Sequence, residues 1–591
     1  MSIWPTNKPP AFREFITYDL EWVPGSLKLR VVGVYDGNRY KHYLDMQSFL
    51  NDWLIPSNSG KWFYAHSGGM ADIQFVFETI YPNKDYSIDA TFSGSSAIIV
   101  NISRGEHKWT FVDSLWLFRT SLASIGRSLG MEKTGPADNP NWTREQIKDW
   151  YANVPLPELI EYNENDCVIL WHAINEFQQR LLGLDGQLQM TIASCAMMLF
   201  RRRYLKETIY TANQTNRIGR ECYFASRVEV FNERCNDAYY YDINSSFPYA
   251  MTQPLPGSLK LHYSKLKNRH IENCDTKPIL AQASVYVPDT YFPPLATRIN
   301  GRLFFPTGSW RGWFTGIDLK LLLENGGSIL SVGEAIEFEP MTCMRDYATD
   351  IYDLRKKSSD PFERIVLKYL LNSLYGKTAE RTEKQQLYIR PPKRILQKLD
   401  WTNMLRPGVF LVPTDKYVPH EHTPIAAYVT SIARRTLFNF MKTSSEFHYC
   451  DTDGFSSKSL HDTSNELGGL KLEKKIKAGH FVLPKVYKLD ALVLNGDRWE
   501  DKTITKAKGF SLSKDKIECA SQFATLVNGG EIYVDRMRRI RENLRKGSIT
   551  PFESVITKSL NPNMVKKRHT HKDGSTRPWT LTELRRIYGI D

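Results

Sequence analysis

Two strand-like aromatic runs, far apart in the chain, each end on aspartate. YYYDINSSFP (239–248) stops at Asp242 before a turn and Pro248, and HYCDTDGF (448–455) enters a tight turn carrying Asp451 and Asp453. If the runs meet, a carboxylate from each can hold two Mg²⁺ ions roughly 3.5–4 Å apart. One ion would lower the pKa of an attacking hydroxyl. The other would hold a triphosphate and stabilise the leaving pyrophosphate.

Between these runs lies LRKKSSDPFERIVLKYLLNSLYGK (354–377), which predicts a helix over roughly 361–375. Arg364, Lys368, Asn372 and Tyr375 fall on one helical stripe. Two cations followed by an amide and an aromatic ring suit a nucleotide, with Lys356 and Lys357 just upstream. An amphipathic helix with a solvated basic side is the competing explanation, but Asn, Ser and Gly in NSLYG lower helix propensity without helping such a surface. Downstream, LPKVYKL reads as a strand with Lys485 and Tyr487 on one face, a pair able to grip a backbone phosphate and sugar.

The N-terminal part carries a second carboxylate set. FITYDLEWV, KLRVVGVY, SAIIVNIS and HKWTFVDSL read as strands alternating with helices, the pattern of a mixed α/β domain. Asp19 and Glu21 share a strand face, and Asp72 follows in HSGGMADIQF. Tyr162 and Asp166 lie one turn apart on a helix expected over 156–182, whose Cys167, Leu170, Trp171, Ile174 and Leu181 form an apolar stripe. Clustered carboxylates repel unless cations join them, and two Mg²⁺ ions would also activate water against a phosphodiester, with the phenol orienting that water.

Composition narrows the classes. The chain has 591 residues, 41% hydrophobic and 24% charged, too apolar for disorder and long enough for several domains. No apolar run reaches membrane-spanning length, and MSIWPTNKPP lacks the apolar segment of a secretory signal. Eight scattered cysteines give no zinc pattern and fit free thiols in a reducing compartment. The net charge of +13 favours a polyanionic partner. Residues 531–591 hold 14 Lys/Arg against 7 Asp/Glu, densest in VKKRHTHK (565–572), which reads as a solvated tail or as a phosphate-contacting one. A polar, proline-bearing loop is expected at 134–143, and an inserted hairpin or loop module at 380–420.

In order, D-x2-S-x-F-P, K-x3-N-S-x-Y-G, Y-C-D-T-D and K-x-Y resemble family B DNA polymerases, and the upstream DxE, Asp72 and YxxxD resemble their 3′–5′ proofreading exonuclease. Motif spacing and compact length are most similar to the protein-primed branch of linear phages, viruses and linear plasmids. The resemblance runs from about residue 15 to 510. It implies that Asp242 and Asp453 bind polymerase metals with Asp451 beside them, and that Phe247 stacks under the sugar and excludes ribonucleotides. Lys368 and Lys356 would contact the triphosphate, Asn372 and Tyr375 would shape the nucleotide pocket, and Lys485 and Tyr487 would hold the primer terminus. Asp19, Glu21, Asp72 and Asp166 would bind the exonuclease metals, with Tyr162 placing water and Lys133 assisting. Ser114 and Leu115 would guide single-stranded DNA, and Tyr223 would lie in the linker that coordinates synthesis with degradation.

The implied fold is α/β (mixed α+β), an RNase-H-like exonuclease followed by a right-hand polymerase with two inserts. By position, the exonuclease occupies 1–189, the palm 190–253 and 415–508, and the fingers 345–379. A first insert (terminal-protein region 1) occupies 254–344, a second (region 2, strand displacement) 380–414, and the thumb with the basic C-terminal region 509–591. The implied cofactor is Mg²⁺, or Mn²⁺ in its place, two ions per site. The implied partners are template and primer DNA, dNTPs and a terminal protein, for a monomer without a membrane segment, soluble inside the cell in cytoplasm or an organelle. Self-priming by a related enzyme is the alternative. A catalytically inactive DNA-binding relative would have lost Asp242, Asp453 or Lys368, and all three are present. Ser67 and Ala71 in place of Asn and Phe, Phe247 in place of Tyr, Ser246 in place of Leu, Ala225 and Ser226 in place of paired glycines, and Gly454 in place of Ser depart from the family pattern.

Overall fold

The structure, a computed structural model, describes all residues other than 1, 95, 134, 136–141, 264–270, 272, 275, 381–382, 416–417, 419, 514, 562–563 and 591. Most of the loop expected at 134–143 therefore lies outside the described residues.

The N-terminal strands form where apolar and β-branched residues alternate. Phe15–Val23 pairs antiparallel with Lys28–Tyr35 and parallel with Trp62–Ala65, which pairs parallel with His107–Asp113. Helix Leu156–Gly183 packs across the first two strands. Cys167, Leu170, Ile174 and Leu181 are buried on its inner stripe, and Trp171 stacks on Phe15 at 5.7 Å. Helices Met46–Trp53 and Asp72–Ile80 contribute to the core on the other side.

The hairpin expected near 380–420 is present, but it is not a separate module. Strands Glu383–Ile389 and Val409–Asp415 pair antiparallel, and the first also pairs with Ser87–Ser93 of the N-terminal sheet. Leu387, Ile389, Val409 and Leu411 enter the same core as Ile88 and Phe92. The N-terminal sheet thereby reaches ten strands among the described residues.

A second sheet, of seven antiparallel strands, is ordered Val228–Val230, Phe447–Asp451, Gly454–Ser457, Arg234–Ile243, Leu470–Leu483, Val486–Asn495, Arg498–Ala507. Among the described residues, strands Leu255–Tyr263, Ile279–Val287, Gly308–Thr315 and Ser328–Met341 make their own four-stranded antiparallel sheet. Helix Thr423–Thr443 ties the two regions together, with its Arg434 paired to Asp318 at 2.9 Å and Tyr428 Oη donating to the Ile279 carbonyl at 2.9 Å. Helix Pro361–Lys377 starts where Asp360 accepts the backbone N–H groups of Phe362 (2.8 Å) and Glu363 (3.2 Å), with Pro361 supplying a helical φ.

The C-terminal region corrects one expectation. Residues 565–570 are not a freely solvated tail, whereas His571 and Lys572 are exposed. Arg568 is buried, Lys566 pairs with Glu233, and Lys567 donates to the Leu303 carbonyl. Earlier in this region, the hairpin of Glu531–Met537 and Glu553–Ser559 leads into and out of helix Ile540–Arg545, whose Ile540 and Leu544 join the N-terminal core. Among the described residues no helix is long and apolar enough to cross a membrane, and all eight cysteines are free thiols.

Candidate active sites

The structure brings the N-terminal carboxylates together. Asp19 and Glu21 come from one strand and Asp166 from the long helix, with ligand oxygens all within 4.8 Å of one another. Asp72 opens helix Asp72–Ile80 and lies close enough for the Asp19 charge to raise its pKa, after burial. Burial likewise raises Asp19 and pushes Glu21 well up, with Asp19 the next cause for Glu21. Lys133 Nζ lies 2.7 Å from Asp166 Oδ2 and 5.0 Å above the Tyr162 ring. The Tyr162 hydroxyl stands 3.4 Å from that of Tyr151.

One residue at this site carries no sequence signal. Asn163 is buried, and its amide donates to Asp19 Oδ2 (3.2 Å) and Glu21 Oε1 (3.3 Å) while its carbonyl accepts from Tyr40 Oη (2.9 Å). Gly33 makes room for it, since a Cβ there would sit 1.6 Å from Asn163 Oδ1. Ser114 is buried, bonded to the Ala65 carbonyl (3.1 Å) and His66 Nδ1 (3.0 Å), whereas Leu115 is partly exposed. Burial holds His66 down to about 4, so it is neutral near pH 7. Ser67 adopts φ 65°, a conformation easier for the Asn expected there.

The second set also converges. Asp242 lies opposite Gly454, and the Ile243 N–H donates to the Asp453 carbonyl at 2.9 Å, so Asp242 and Asp453 are neighbours across the sheet. Burial and then Asp453 push Asp242 up to about 7, and burial raises Asp453 to about 6. Glu473 on the next strand raises both further, a carboxylate hidden in the sequence by the lysines around it. The expected Ser at 454 would not fit unaided, because a Cβ there would meet Tyr240 Oη at 2.8 Å.

Asp451, on the turn with Asp453, pairs with Lys485 at 2.6 Å. Lys485 is not on a strand face with Tyr487, which corrects the expectation. It lies at φ 65° in the two-residue turn between Leu483 and Val486, and Tyr487 is buried against Tyr449 and Phe481.

Arg364 and Lys368 are exposed on their helix, and Asn372 and Tyr375 are half-buried below them. Lys368 lies near enough to Asp242 to oppose the rise of its pKa. Phe247 stacks on Tyr375 at 4.7 Å. Burial, then Tyr223, raises the Tyr375 phenol. Lys356, on helix Cys343–Lys357, pairs with Glu466 at 2.9 Å. Both clusters offer carboxylates, hard oxygen donors whose mutual repulsion a divalent cation relieves, and so suit Mg²⁺ or Mn²⁺.

The pattern that defines DNA polymerase type B, organellar and viral, matches residues 137–453. The chain belongs to this family. A "probable DNA polymerase" of Ascobolus immersus is 23% identical over 513 residues, covering 75% of this chain and 42% of the relative. The "DNA-directed DNA polymerase" of Enterobacteria phage PRD1 is 24% identical over 479 residues, covering 75% and 76%. The chain thus spans about two-fifths of the length of the fungal relatives from Ascobolus immersus and Podospora anserina. Phi29 DNA polymerase, solved with primer-template DNA and incoming nucleotide, superposes with a TM-score of 0.72 at 16% identity, covering 93% of this chain and all of that one. The type B fold, an exonuclease domain joined to palm, fingers and thumb, is therefore the fold of this chain.

Proposed function

We propose that this type B chain is a DNA-directed DNA polymerase that copies a linear viral or plasmid genome from a protein primer and proofreads with a 3′–5′ exonuclease. The observation that carries this reading is the adjacency of Asp242 and Asp453 across the palm sheet, with Lys368 of the fingers near Asp242. A primer hydroxyl attacks the α-phosphate of a dNTP; the new P–O bond forms as the bond to pyrophosphate breaks. Arg364, Lys368 and Lys356 meet the triphosphate, and Asn372, Phe247 and Tyr375 enclose the nucleoside. Lys485 holds the primer terminus beside Asp451, with Tyr487 buried beneath the turn against Tyr449 and Phe481. Mg²⁺ or Mn²⁺, held by Asp242 and Asp453 and by the N-terminal carboxylates, would supply charge neutralisation and activation of the hydroxyl or water.

In the exonuclease, Asp19, Glu21, Asp72 and Asp166 hold the cations, Tyr162 orients the attacking water and Lys133 steadies Asp166. Leu115, with Ser114 bracing the loop beneath it, guides the single strand, and Tyr223 lies on the path between the two centres. At initiation, a Ser, Thr or Tyr hydroxyl of a terminal protein takes the primer's place, against the four-stranded sheet of the first insert. Strand displacement is favoured by the second insert, because its hairpin is fused to the exonuclease sheet. A hollow of about 360 Å³ lies beside it, lined by Trp116, Arg119 and the lysines Lys377 and Lys384 paired to Glu380, where Arg119 and the Trp116 ring suit one strand. The enzyme acts as a monomer.

The test is dNTP incorporation with Mg²⁺ on one single-stranded template, with and without an annealed primer. Product on the primed template alone is expected. Product on both would establish self-priming instead, and product on neither, from folded protein, would contradict the polymerase reading.

A further inference from the structure

The polymerase carboxylate turn rests on a weak strand. Val228–Val230 has three residues, lies on the edge of the palm sheet and, among the described residues, pairs only with Phe447–Asp451. Val228 faces Asp451, and the Arg227 carbonyl accepts the Thr452 N–H at 3.0 Å, inside the turn that joins Asp451 to Asp453. A strand this short holds its register poorly without outside support.

That support comes from the far end of the chain. Arg227 is buried, with Nε donating to Glu229 Oε2 at 2.8 Å and Nη1 to the Pro293 carbonyl at 2.9 Å. Arg568 Nη1 lies 4.0 Å from the same Glu229 oxygen, Oε2. Its guanidinium sits over the rings of Phe231 (4.4 Å) and Tyr291 (4.6 Å), and its Nε donates to Thr576 Oγ1 at 2.8 Å. The Thr576 hydroxyl in turn donates to the Phe231 carbonyl at 2.7 Å. The segment is fastened at both ends. Ser575 bridges to Asn232 beside the edge strand, and Thr580 bridges to Thr307 of the first insert, where Leu581 and Leu584 are buried.

We infer that residues 565–590 form a strap that positions the Asp451–Asp453 turn, with Arg568 the positioning residue that fixes the Val228–Val230 strand through Glu229, Phe231 and Thr576. This rests on the polymerase reading above. Arg568 touches neither substrate nor the reacting atoms. Burying two guanidinium groups around one carboxylate is a poor way to gain stability, and an apolar side chain of similar length would occupy the space at lower cost. The contribution of Arg568 is therefore to geometry. Its Nε meets a hydroxyl and its face two rings, while its Nη1 stays 4.0 Å from a carboxylate, a combination no apolar side chain can make.

The test uses the full-length chain carrying Arg568→Met, with Arg568→Lys and Thr576→Val as companions. Melting temperature, exonuclease rate on single-stranded DNA, and kcat and KM for dNTP incorporation on a primed template are measured together. For Arg568→Met, kcat is expected to fall about ten- to hundredfold, as small displacements of reacting groups do. KM for dNTP, exonuclease rate and melting temperature are expected to stay near wild type. Arg568→Lys recovers part of the loss. Thr576→Val, nearly isosteric and without the hydroxyl, lowers kcat in the same direction and answers the question if Arg568→Met does not fold. A wild-type kcat in Arg568→Met, or a loss of both activities in parallel with melting temperature, would overturn the positioning role. Wild-type protein that fails to extend the primer would overturn the polymerase reading itself, so the two failures are distinguishable.

Discussion

The rings of Phe247 and Tyr375 stack with centroids 4.7 Å apart and planes 29° from parallel, joining the helix after Asp242 to the end of the fingers helix. Phe247 stands where the family usually has tyrosine, and Tyr375 holds its ring in place. In the proposed polymerase, a wall of this kind would exclude a 2′-hydroxyl by volume rather than by a hydrogen bond. Phe247→Ala is expected to raise the ratio of ribonucleotide to deoxyribonucleotide kcat/KM by about tenfold or more, roughly 1.4 kcal/mol of lost discrimination. Tyr375→Ala should move the ratio in the same direction by releasing the ring. Single-nucleotide incorporation with matched rNTP and dNTP checks both, and an unchanged ratio in Phe247→Ala would remove Phe247 from the role.

Asn163 separates two carboxylates with one neutral amide, donating to both Asp19 and Glu21. Asn163→Ala removes both bonds and leaves the Tyr40 hydroxyl without its Asn163 partner. Loss of a partner that orients metal-binding carboxylates commonly costs about 10–100-fold, and that loss is expected in exonuclease rate with primer extension unchanged. Mg²⁺ titrations should show a higher half-saturating concentration in the variant. An exonuclease rate within twofold of wild type would contradict the role.

Without cations, Asp242 is a liability to the fold. Its carboxyl is pushed up to about 7 by burial and Asp453, against an ordinary value near 3.8. A folded-state pKa raised above the unfolded one means that the ionised carboxylate destabilises the fold above pH 7. The penalty shrinks as pH falls through 7 towards the unfolded value. In EDTA at pH 8, Asp242→Asn is therefore expected to stabilise the protein by on the order of 4 kcal/mol, with the gain shrinking steadily below pH 7 and gone near pH 4. Melting temperatures of both proteins across that range check it, and a gain that grows on acidification would have the wrong sign.

Some of this was legible in the residues and some was not, for physical reasons. FITYDLEWV and KLRVVGVY become strands over those same residues because apolar side chains face both a helix and a second core layer. The aspartates were legible because few other patterns place acids at the end of aromatic strands. K-V-Y alternates like a strand in the sequence, whereas Pro484 ends the pairing and puts Lys485 in the turn. Glu473 was hidden because LKLEKKIKAG reads as a solvated amphipathic strand, and nothing local reveals that it flanks Asp242. Arg568 was hidden for the opposite reason. A cation within VKKRHTHK looks exposed, and only the tertiary fold buries it beneath Phe231. Asn163 carries no charge to notice.

The Lys356–Glu466 pair, reinforced by Tyr352 Oη donating to the Asn465 carbonyl at 2.7 Å, crosses from the fingers to the loop after the carboxylate hairpin. If Lys356 must leave Glu466 to meet a triphosphate, Glu466→Gln frees it in advance. KM for dNTP is then expected to fall by about two- to fivefold, the scale of an exposed ion pair of up to about 1 kcal/mol. Steady-state incorporation at low salt checks it, and an increase in KM would mean that Glu466 assists nucleotide binding instead.

In the proposed function, two separate carboxylate centres act on one DNA end, one adding nucleotides with release of pyrophosphate and the other removing them by hydrolysis. The most direct test compares Asp453→Ala with the double variant Asp19→Ala, Glu21→Ala, measuring primer extension and 3′–5′ degradation on the same labelled primer with Mg²⁺. Asp453→Ala is expected to abolish extension while degrading the primer at the wild-type rate, and the double variant is expected to extend it while losing degradation. Loss of both activities in either variant, from protein that remains folded, would contradict the two-centre assignment.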